Sequence, residues 1–538
     1  MNKSLFTNAV MLSAIICASC ASAQTETNAS QPKPLVRVQT ATLLTASEIK
    51  HTVERALDNF KTPGMSVGIV QGGKTVFENG FGIRDMDNQA HVDAQTLFRI
   101  ASTSKAFTSA ALAILVDEGK LNWDDKVIDT LPDFRLMDPW VTREFTVRDL
   151  LVHRSGLGIG AGDLMLWPEP SGFTRDEIIH NLRHLKSTSS FRSRYAYDNL
   201  LYIVAGDVVS KASGIPYEQF VQERIMDKLD MSCFAGEISK ADLRNVAIPY
   251  GFIDEKITAI PRNKVSGAIT ASHPAGGLAC NASGMNKWMI AQLGGGHGAN
   301  GQTVFSLKQR DEMWKSQTML SVSKYERDYD NTHFKTYALG WRKEDMHGYE
   351  VISHTGTLSG FQAYVVLVPE LDLGISILNN GSNSGARTSV MLSILKAYMG
   401  QEKLDWVGFF KDLQDKTAAE KKLPDAVNDN IGSGTVARPF TDYVGAYKDP
   451  WFGIVDIKKQ GSEIRFTARK TINLKGTLEP FEHNTFIVRW DNRGFEADAY
   501  ARFQTDTSGS INGMTMTRVD PAADWSFDFQ DLDFEKVE

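Results

Sequence analysis

The hydrophobic pattern at the start of the chain predicts a helix, a β-hairpin and a second helix. Apolar residues recur at helical spacing over 47–60. Two short apolar runs, 65–70 and 75–83, then lie on either side of the turn residues 71–74, as in a β-hairpin. Apolar residues recur again at helical spacing over 104–120, and the density of this stripe predicts a buried helix.

Strand patterns return farther along the chain. Apolar runs at 349–354, 360–369 and 371–381 predict three strands, and a helical pattern follows at 384–399. The intervening segment, about 120–300, is richer in helical patterns and in Gly and Pro turns. A sheet that takes strands from both ends of this region, with a helical insertion between them, is the simplest assembly. The predicted fold class is therefore α/β, of the α+β type.

A different pattern begins after Gln401. A charged, helical stretch and a linker precede a series of short alternating segments, which predict a small antiparallel barrel or sandwich. The predicted organisation is a polar lead-in at 24–42, a main domain at 43–402, a helical and linker segment at 403–438, and an all-β domain at 439–538.

The first residues, 1–23, have the pattern of a secretory signal. Lys3 supplies a positive charge near the N-terminus, residues 10–18 are mostly apolar, and residues 21–23 form a small-x-small cleavage pattern. The apolar run is well short of the roughly 20 residues that span a bilayer. A lipid anchor at Cys20 is a weaker alternative, because Cys17 rather than Leu lies three residues before it. We therefore expect an exported protein, periplasmic or secreted.

Composition and charge exclude several classes of function. Of 538 residues, 42% are apolar and 23% are charged, which is ordinary for a globular protein and excludes a disordered or collagen-like chain. Lys and Arg number 58 against 65 Asp and Glu, so no basic field favours nucleic acid as a partner. No stretch after the signal is apolar enough to predict a membrane span. Cys233 and Cys280 remain after signal removal, and their spacing leaves both a disulfide and two buried thiols open.

A Ser-Thr-Ser-Lys segment at the start of the second predicted helix carries the first candidate chemistry. Ser102 and Lys105 are three residues apart, so on a helix their side chains share a face. A partly desolvated Lys with a depressed pKa can take the proton of a Ser hydroxyl and make it a nucleophile. A helix N-terminus also offers backbone amides to developing negative charge. The S-x-x-K spacing recurs elsewhere in the chain, and the alternative in each case is an ordinary surface Ser and Lys.

Two further segments contribute candidate residues. Tyr197 and Asn199 belong to a Tyr-Asp-Asn segment before an apolar run, and 354–356 (His-Thr-Gly) end a predicted strand. A buried Tyr near an ammonium can ionise or transfer a proton, and an Asn amide can orient a carbonyl. Gly after a strand lets a substrate backbone approach closely. Each segment by itself is most often structural.

Two histidine patterns are set aside. His180 and His184 stand four residues apart, but the Glu of H-E-x-x-H and an evident third ligand are missing, so a surface helix is the better interpretation. His153 is a second candidate, as a catalytic base. A Ser–Lys–Tyr site needs no histidine base, and His153 is predicted to be structural.

Taken in chain order, S-T-S-K, Y-D-N and H-T-G resemble the serine β-lactamase and penicillin-binding-protein superfamily. The greatest similarity is to the class C-like branch that includes D-aminopeptidases and esterases. The resemblance covers about 43–400 and implies an antiparallel sheet flanked by helices, with a helical insertion. The segment from Phe440 onward resembles the lipocalin-like barrels appended to several such peptidases, through its Tyr-x-Gly-x-Tyr start and its strand spacing. The resemblance to the β-lactamase and penicillin-binding-protein superfamily is supported by four further segments, 98–107, 146–157, 273–285 and 354–369.

The resemblance implies a role for each motif residue. Ser102 would be the acylated nucleophile and Lys105 its base or proton relay. Tyr197 would act with Lys105, returning a proton to the leaving group and activating water. The backbone amides of Ser102 and Thr357 would form the oxyanion hole, and His354 would line the opposite wall of the cleft with Thr355. The predicted substrate-binding residues are Asn199, His354, Thr355, Gly356 and Thr357.

The sequence departs from the β-lactamase pattern at His354, where those enzymes have a Lys that helps to hold the substrate carboxylate. A histidine is only partly charged near neutrality, so carboxylate capture and β-lactam hydrolysis should weaken. H-x-G is the pattern of the aminopeptidase and esterase-like members. We therefore expect a serine hydrolase without metal or organic cofactor, acting on a small-molecule or peptide amide, D-amino-acid derivatives included, or on an ester. The alternatives are a carboxylesterase or weak β-lactamase of the same fold, and a non-catalytic sensor.

Overall fold

The structure, a computed structural model, describes residues 43–236, 242–260, 271–420 and 434–537. The predicted signal and polar lead-in lie outside the described residues, as does part of the predicted linker. Across the described ranges, no helix has both the length and the apolar character that a membrane span requires.

Helices and strands alternate through the larger domain, whereas strands dominate after residue 440. The helices are α1 (Ala46–Asn59), α2 (Lys105–Asp117), α3 (Val127–Thr130), α4 (Pro139–Glu144), α5 (Arg175–Asn181), α6 (Leu200–Ser213), α7 (Tyr217–Val221), α8 (Ala282–Leu293), α9 (Leu307–Met313), α10 (Lys324–Asp330), α11 (Ser384–Tyr398), α12 (Trp406–Glu420) and α13 (Phe440–Tyr443). The strands of the larger domain are β1 (Gly64–Gln71), β2 (Lys74–Asp85), β3 (Ala90–His91), β4 (Phe98–Arg99), β5 (Tyr250–Ile253), β6 (Lys256–Ala259), β7 (Ala279–Cys280), β8 (Thr318–Met319), β9 (Lys335–Tyr337), β10 (Arg342–Met346), β11 (Tyr349–Leu358), β12 (Phe361–Val368) and β13 (Leu373–Asn379). Those of the C-terminal domain are β14 (Gly445–Asp449), β15 (Gly453–Gln460), β16 (Glu463–Ala468), β17 (Lys475–Glu482), β18 (Thr485–Trp490), β19 (Ala499–Thr505), β20 (Ile511–Arg518) and β21 (Asp533–Val537).

A nine-stranded sheet organises the larger domain, in the order β3-β2-β1-β13-β12-β11-β10-β9-β8. Strand β1 from the start of the domain pairs antiparallel with β13 from its end, which confirms the predicted assembly. Side chains of β1 alternate between the two faces, as a strand period of two requires. Met65, Val67 and Ile69 pack under α1 and α11, and Val70 joins the apolar cluster on the other face with α2 and α8.

Strand β11 is longer than the sequence pattern predicts. The expected strand ended at the His-Thr-Gly segment, but pairing continues from Thr355–Tyr364 to Leu358–Phe361. Gly360 closes this tight hairpin with φ +79°, a conformation that favours glycine. The motif therefore lies within the sheet rather than at its rim.

The C-terminal domain is a closed barrel in which β14 to β21 follow one another around the wall. This confirms the predicted all-β barrel and excludes the sandwich alternative. Buried aromatic side chains fill its interior, and the cluster is continuous with the core of the helical insertion. These interior residues are Tyr443, Tyr447, Phe466, Phe486, Trp490 and Phe503.

Hydrogen bonds join the barrel to the larger domain. Asn181 Nδ2 donates to the Trp451 carbonyl at 2.7 Å, and Thr471 Oγ1 donates to the Leu164 carbonyl at 2.9 Å. In the larger domain itself, Cys233 and Cys280 form a disulfide, which settles the question that their spacing left open.

Candidate active site

Ser102 lies in a 3₁₀ turn, Ala101–Ser104, that leads directly into α2. Strand β4 delivers the chain to this turn, and Ala101 adopts φ +48°, so the backbone bends sharply just before the serine. Ser102 is half-buried while its neighbours Ala101 and Thr103 are buried. The local fold therefore presents a single hydroxyl to the cleft at the N-terminal end of a helix.

Lys105 is fully buried, and its amine is held by three oxygen atoms. Nζ donates to Asn199 Oδ1 at 2.7 Å and to the Ala275 carbonyl at 2.8 Å, and it lies 3.3 Å from Ser102 Oγ. A neutral amine has two N–H groups and one lone pair. The carbonyl oxygens of Asn199 and Ala275 can only accept, so they take both N–H groups. The lone pair is left facing the Ser102 hydroxyl.

Burial lowers the pKa of Lys105 to about 7. Desolvation is the largest cause, because a charged ammonium loses its water in the interior. The carboxyls of Asp163 and Asp198 raise the pKa, and the positive charge of Arg342 lowers it further. Near neutral pH a large share of Lys105 is therefore the free amine that a general base must be.

Tyr197 and Asn199 reach the site from the loop that precedes α6. The Lys105 ammonium nitrogen lies 4.8 Å from the centre of the Tyr197 ring. Burial raises the pKa of Tyr197, and Arg342 and the Ser102 hydroxyl oppose only part of that rise, so Tyr197 stays a neutral phenol. Its buried hydroxyl faces the Ser102 side chain but has no partner at ordinary hydrogen-bond geometry among the described residues, which leaves it available to a substrate atom.

Strand β11 passes directly over the Ser102 turn. A Cβ at Gly356 would lie 2.4 Å from the Ile100 carbonyl oxygen and 3.1 Å from the Ser102 nitrogen, so only glycine fits. The close approach is thus between two segments of the protein itself, not between Gly356 and substrate as expected. Thr355 and Thr357, on either side, line the cleft. Thr357 follows Gly356 in the same strand, and the Cβ position of Gly356 lies 3.1 Å from the Ser102 nitrogen, so the two segments that carry the expected oxyanion donors lie side by side.

His354 does not line the cleft. The residue is 1% exposed, and its side chain lies on the face of β11 opposite that of Thr355, with its ring centre 6.3 Å from that of Tyr197. Nδ1 bonds the Thr355 carbonyl at 2.6 Å and must carry the proton, so Nε2 accepts from the Tyr337 hydroxyl at 2.9 Å. Burial lowers the pKa of His354 well below its usual value. The expected contribution of His354 to the cleft wall is therefore wrong, because the strand pleat turns its side chain inward.

Arg342 is a residue of the cleft that sequence reasoning missed. It lies on β10, opposite Ser353 of β11, and Nη1 donates to Thr355 Oγ1 at 3.3 Å. Among the described residues, no carboxylate lies within ion-pair distance of its guanidinium. A cation therefore faces the cleft beside Thr355, in place of the missing Lys of the β-lactamase pattern. Only the pairing of β10 with β11 reveals it, and no motif marks it.

The cleft holds about 570 Å³ above Ser102, within the usual range for small-molecule sites. One wall comes from the larger domain, and its apolar members include Ile159, Trp167 and Leu358. The opposite wall comes from the barrel domain, whose loop 522–527 enters the cleft. Trp525 of this loop lies edge-on to the Tyr197 ring, with ring centres 5.4 Å apart. No sequence motif marks the residues of this loop.

The histidines that were set aside stay outside the reacting groups. His153 is fully buried and packs its ring 4.1 Å from that of Tyr197, and its Nδ1 accepts from the Asp198 backbone N–H at 3.1 Å. The rings of His180 and His184 lie 6.3 Å apart. Within the described ranges, no group of three His, Cys, Asp or Glu side chains is arranged to hold a metal ion.

Two solved structures resemble this one in fold. The octameric penicillin-binding protein homologue from Pyrococcus abyssi superposes with a TM-score of 0.59 at 19% sequence identity, covering 92% of this chain and 100% of that chain. The class C β-lactamase from Rhodobacter sphaeroides gives a TM-score of 0.53 at 19% identity, covering 65% of this chain and 99% of that chain. At these identities the likeness shows a shared fold.

Sequence similarity extends over both domains. The unguisins hydrolase ungD' from Aspergillus campestris is 26% identical over 496 residues, covering 86% of this chain and 88% of that protein. The C-terminal residues 431–536 match a family described as a domain of unknown function, DUF3471. Residues 49–396, well over half of the chain, match the family described as Beta-lactamase. The protein therefore belongs to the β-lactamase family and is a serine hydrolase.

Proposed function

We propose that this protein is an exported hydrolase that cleaves an amide, peptide or ester bond through an acyl-enzyme on Ser102. One observation carries the proposal: a buried lysine with a pKa of about 7 lies 3.3 Å from the only half-exposed hydroxyl of its turn. The disulfide between Cys233 and Cys280 supports export, because disulfides persist in oxidising compartments.

Acylation begins when neutral Lys105 accepts the Ser102 proton. Ser102 Oγ forms a bond to the substrate carbonyl carbon, and the carbonyl electron pair moves to oxygen, where the N–H groups of Ser102 and Thr357 bind it. The tetrahedral intermediate then collapses and the bond to the leaving group breaks. The leaving group takes the proton of the Tyr197 hydroxyl, which the Lys105 ammonium replaces.

Deacylation repeats these steps with water as the nucleophile. The Tyr197 oxygen accepts a proton from water as the water attacks the acyl carbon, while the hydroxyl proton of Tyr197 passes to the neutral Lys105 amine. Ser102 Oγ takes that proton back from the Lys105 ammonium as it leaves. Asn199 supports both half-reactions because its carbonyl oxygen holds the lysine in place. The site is ready for a second cycle without a net gain or loss of protons.

The charges and apolar walls of the cleft favour a peptide-like substrate. Arg342 offers a planar guanidinium beside Thr355, the form of cation that binds a carboxylate with two parallel hydrogen bonds. Trp167 and Trp525 line the same cleft and suit an apolar or aromatic side chain. A peptide or amino-acid derivative with a free carboxyl group presents both features. Simple esters present neither, and are the second candidate.

A substrate panel tests the proposed function. Purified protein is given p-nitrophenyl esters, anilides of D- and L-amino acids, dipeptides and a chromogenic β-lactam, with a fluorescent phosphonate as a covalent probe. Turnover of anilides or peptides above that of esters supports the peptidase assignment, and turnover of esters alone would make the protein a carboxylesterase. Covalent labelling without turnover of any substrate would favour the sensor alternative.

Replacing Arg342 with glutamine should affect carboxylate-bearing substrates selectively. We expect kcat/KM to fall about 10- to 100-fold for a dipeptide with a free C-terminal carboxyl group, because a charge-assisted hydrogen bond is lost. The same dipeptide with an amidated C-terminus should change less than threefold. Because the charge of Arg342 lowers the pKa of Lys105, the variants are compared at pH 9, where the amine is neutral in both. Equal losses for both dipeptides would show that Arg342 does not bind the carboxylate.

Replacing Trp525 with alanine should weaken binding of large acyl groups. The barrel loop would lose a ring that lies against Tyr197, and about 1–3 kcal/mol of apolar contact with it. We expect the ratio of kcat/KM for p-nitrophenyl hexanoate over p-nitrophenyl acetate to fall about tenfold. Trp140, an exposed tryptophan outside the cleft lining, provides the matched control, and Trp140→Ala should leave the ratio unchanged. An unchanged ratio in Trp525→Ala would remove the barrel from substrate selection.

A further inference from the structure

Asp528, in the barrel domain, makes two hydrogen bonds to the larger domain close to the candidate base. The Gly162 N–H donates to Asp528 Oδ2 at 2.5 Å, and the Leu164 N–H donates to Asp528 Oδ1 at 3.2 Å. Both the carboxyl group and the turn are fully buried. Asp528 therefore fixes the two amides that flank Asp163, across more than 360 residues of sequence.

Asp163 in turn fixes the amide of Asn199. Asn199 Nδ2 donates to Asp163 Oδ2 at 2.9 Å, and the other end of the same amide accepts from Lys105 Nζ at 2.7 Å. An amide flipped by half a turn would direct N–H toward Nζ. That N–H would compete with the Ser102 hydroxyl for the lone pair of the amine. The orientation of Asn199 therefore decides which way the lone pair of Lys105 points.

We propose that Asp528 is a positioning residue for Lys105, acting through the turn at 162–164, Asp163 and Asn199. The inference rests on the proposed function, because it assigns the barrel domain a part in holding the base of that same site. Two buried hydrogen bonds from Asp528 hold the turn, and two more lead from the Asp163 side chain through Asn199 to the amine, with the backbone of the turn joining the two pairs. A contact that merely held the two domains together would require no such connection to the reacting groups.

The barrel offers a matched control in Thr471. Its buried hydroxyl also makes a hydrogen bond between the two domains, and the partner is again Leu164. The Thr471 hydroxyl donates to the Leu164 carbonyl oxygen, however, and does not bond the N–H groups of Gly162 and Leu164 that Asp528 holds. Thr471→Val removes this interdomain bond and preserves the shape of the side chain. Both Thr471→Val and Asp528→Ala should lower the melting temperature. Only Asp528→Ala should disturb the base.

The test is the rate at which a fluorescent phosphonate labels Ser102, measured in the full chain from pH 5 to 9. We expect Asp528→Ala and Asp163→Ala to label at least tenfold more slowly on the high-pH plateau. In both variants the fall of the labelling rate at low pH should also move to lower pH. The carboxyl of Asp163 and the Asn199 oxygen both favour the ammonium form of Lys105, so disturbing them lowers the pKa of the amine. Thr471→Val should label at the wild-type rate. Asp163→Asn, which keeps an oxygen to accept from Asn199, should recover most of the plateau rate.

The outcomes separate this inference from the function on which it rests. If the wild-type protein is not labelled at Ser102, the proposed function itself fails. If it is labelled, but Asp163→Ala matches its rate and pH limb, or Thr471→Val slows labelling as much as Asp528→Ala, the positioning role is overturned. Should Asp528→Ala not fold, the Asp163→Ala and Asp163→Asn pair decides the question, because both variants keep Asp528 and differ in whether the side chain at 163 can accept a hydrogen bond from Asn199.

Discussion

Replacing Ser102 with alanine should lower kcat/KM by at least about 10⁴-fold for every substrate that the protein turns over. Loss of the attacking oxygen removes the covalent route, so the remaining groups can only bind and polarise the substrate. The measurement is steady-state hydrolysis of the best substrate of the panel. Because the side chain is half-buried and loses one atom, the fold should survive, and a thermal melt within a few degrees of wild type confirms that it does.

Ser104 is the matched control for this prediction. It belongs to the same turn and is buried, and its hydroxyl oxygen accepts the Leu278 N–H at 3.3 Å, away from Lys105. Ser104→Ala therefore deletes the same atom two residues farther along the chain, and it should lower kcat/KM by less than about tenfold. Comparable losses in the two variants would mean that the turn, and not the Ser102 hydroxyl, is what catalysis requires.

The pH dependence of kcat/KM should show one low-pH limb with a midpoint near 7. Burial lowers the pKa of Lys105 to about 7, and only the deprotonated amine can accept the Ser102 proton. Activity should therefore fall about tenfold per pH unit below the midpoint and level off above it. Lys105→Arg keeps a permanent positive charge, and so should lower kcat/KM by about 10³-fold across the whole range.

Three other buried groups must be separated from Lys105 in that profile. Burial raises the pKa of Asp163 well above its usual value, and Asp163→Asn tests whether that group contributes. Burial raises the pKa of Asp198 to about 7, so its titration would produce a limb in the same place. His354 is a histidine, but burial keeps its pKa well below the usual range. The limb should persist in Asp198→Asn and in His354→Gln. Its disappearance from either variant would assign the limb to that group and contradict the role of Lys105 as the base.

The local part of this fold could be predicted from sequence. Helix α1, the β1–β2 hairpin and helix α2 follow from apolar spacing and turn residues, because neighbours along the chain determine them. The triad of Ser102, Lys105 and Tyr197 was found through ordered motifs. Ser102 and Lys105 are close in sequence, so a local turn brings them together, and the Tyr-Asp-Asn motif marks Tyr197 although tertiary packing is needed to place it.

Features that depend on strand register could not be predicted. Arg342 reaches the cleft only because β10 pairs with β11 opposite Ser353, and His354 turns away because β11 continues to Leu358. In each case a contact between residues distant in sequence decides where the side chain lies.

The contribution of the C-terminal domain could be predicted least. Asp528 lies in a short acidic and aromatic segment that resembles many surface loops. Only the packing of the barrel against the turn at 162–164 reveals that Asp528 is buried there. Domain order could not indicate which residues of the barrel enter the cleft.

The most direct test of the central claim is to locate the phosphonate adduct. Intact mass followed by peptide mapping should find one phosphonyl group per chain, on Ser102, formed faster at pH 8 than at pH 6 and absent from Ser102→Ala. Turnover of substrate with no adduct, or with an adduct on any other residue, would contradict the account.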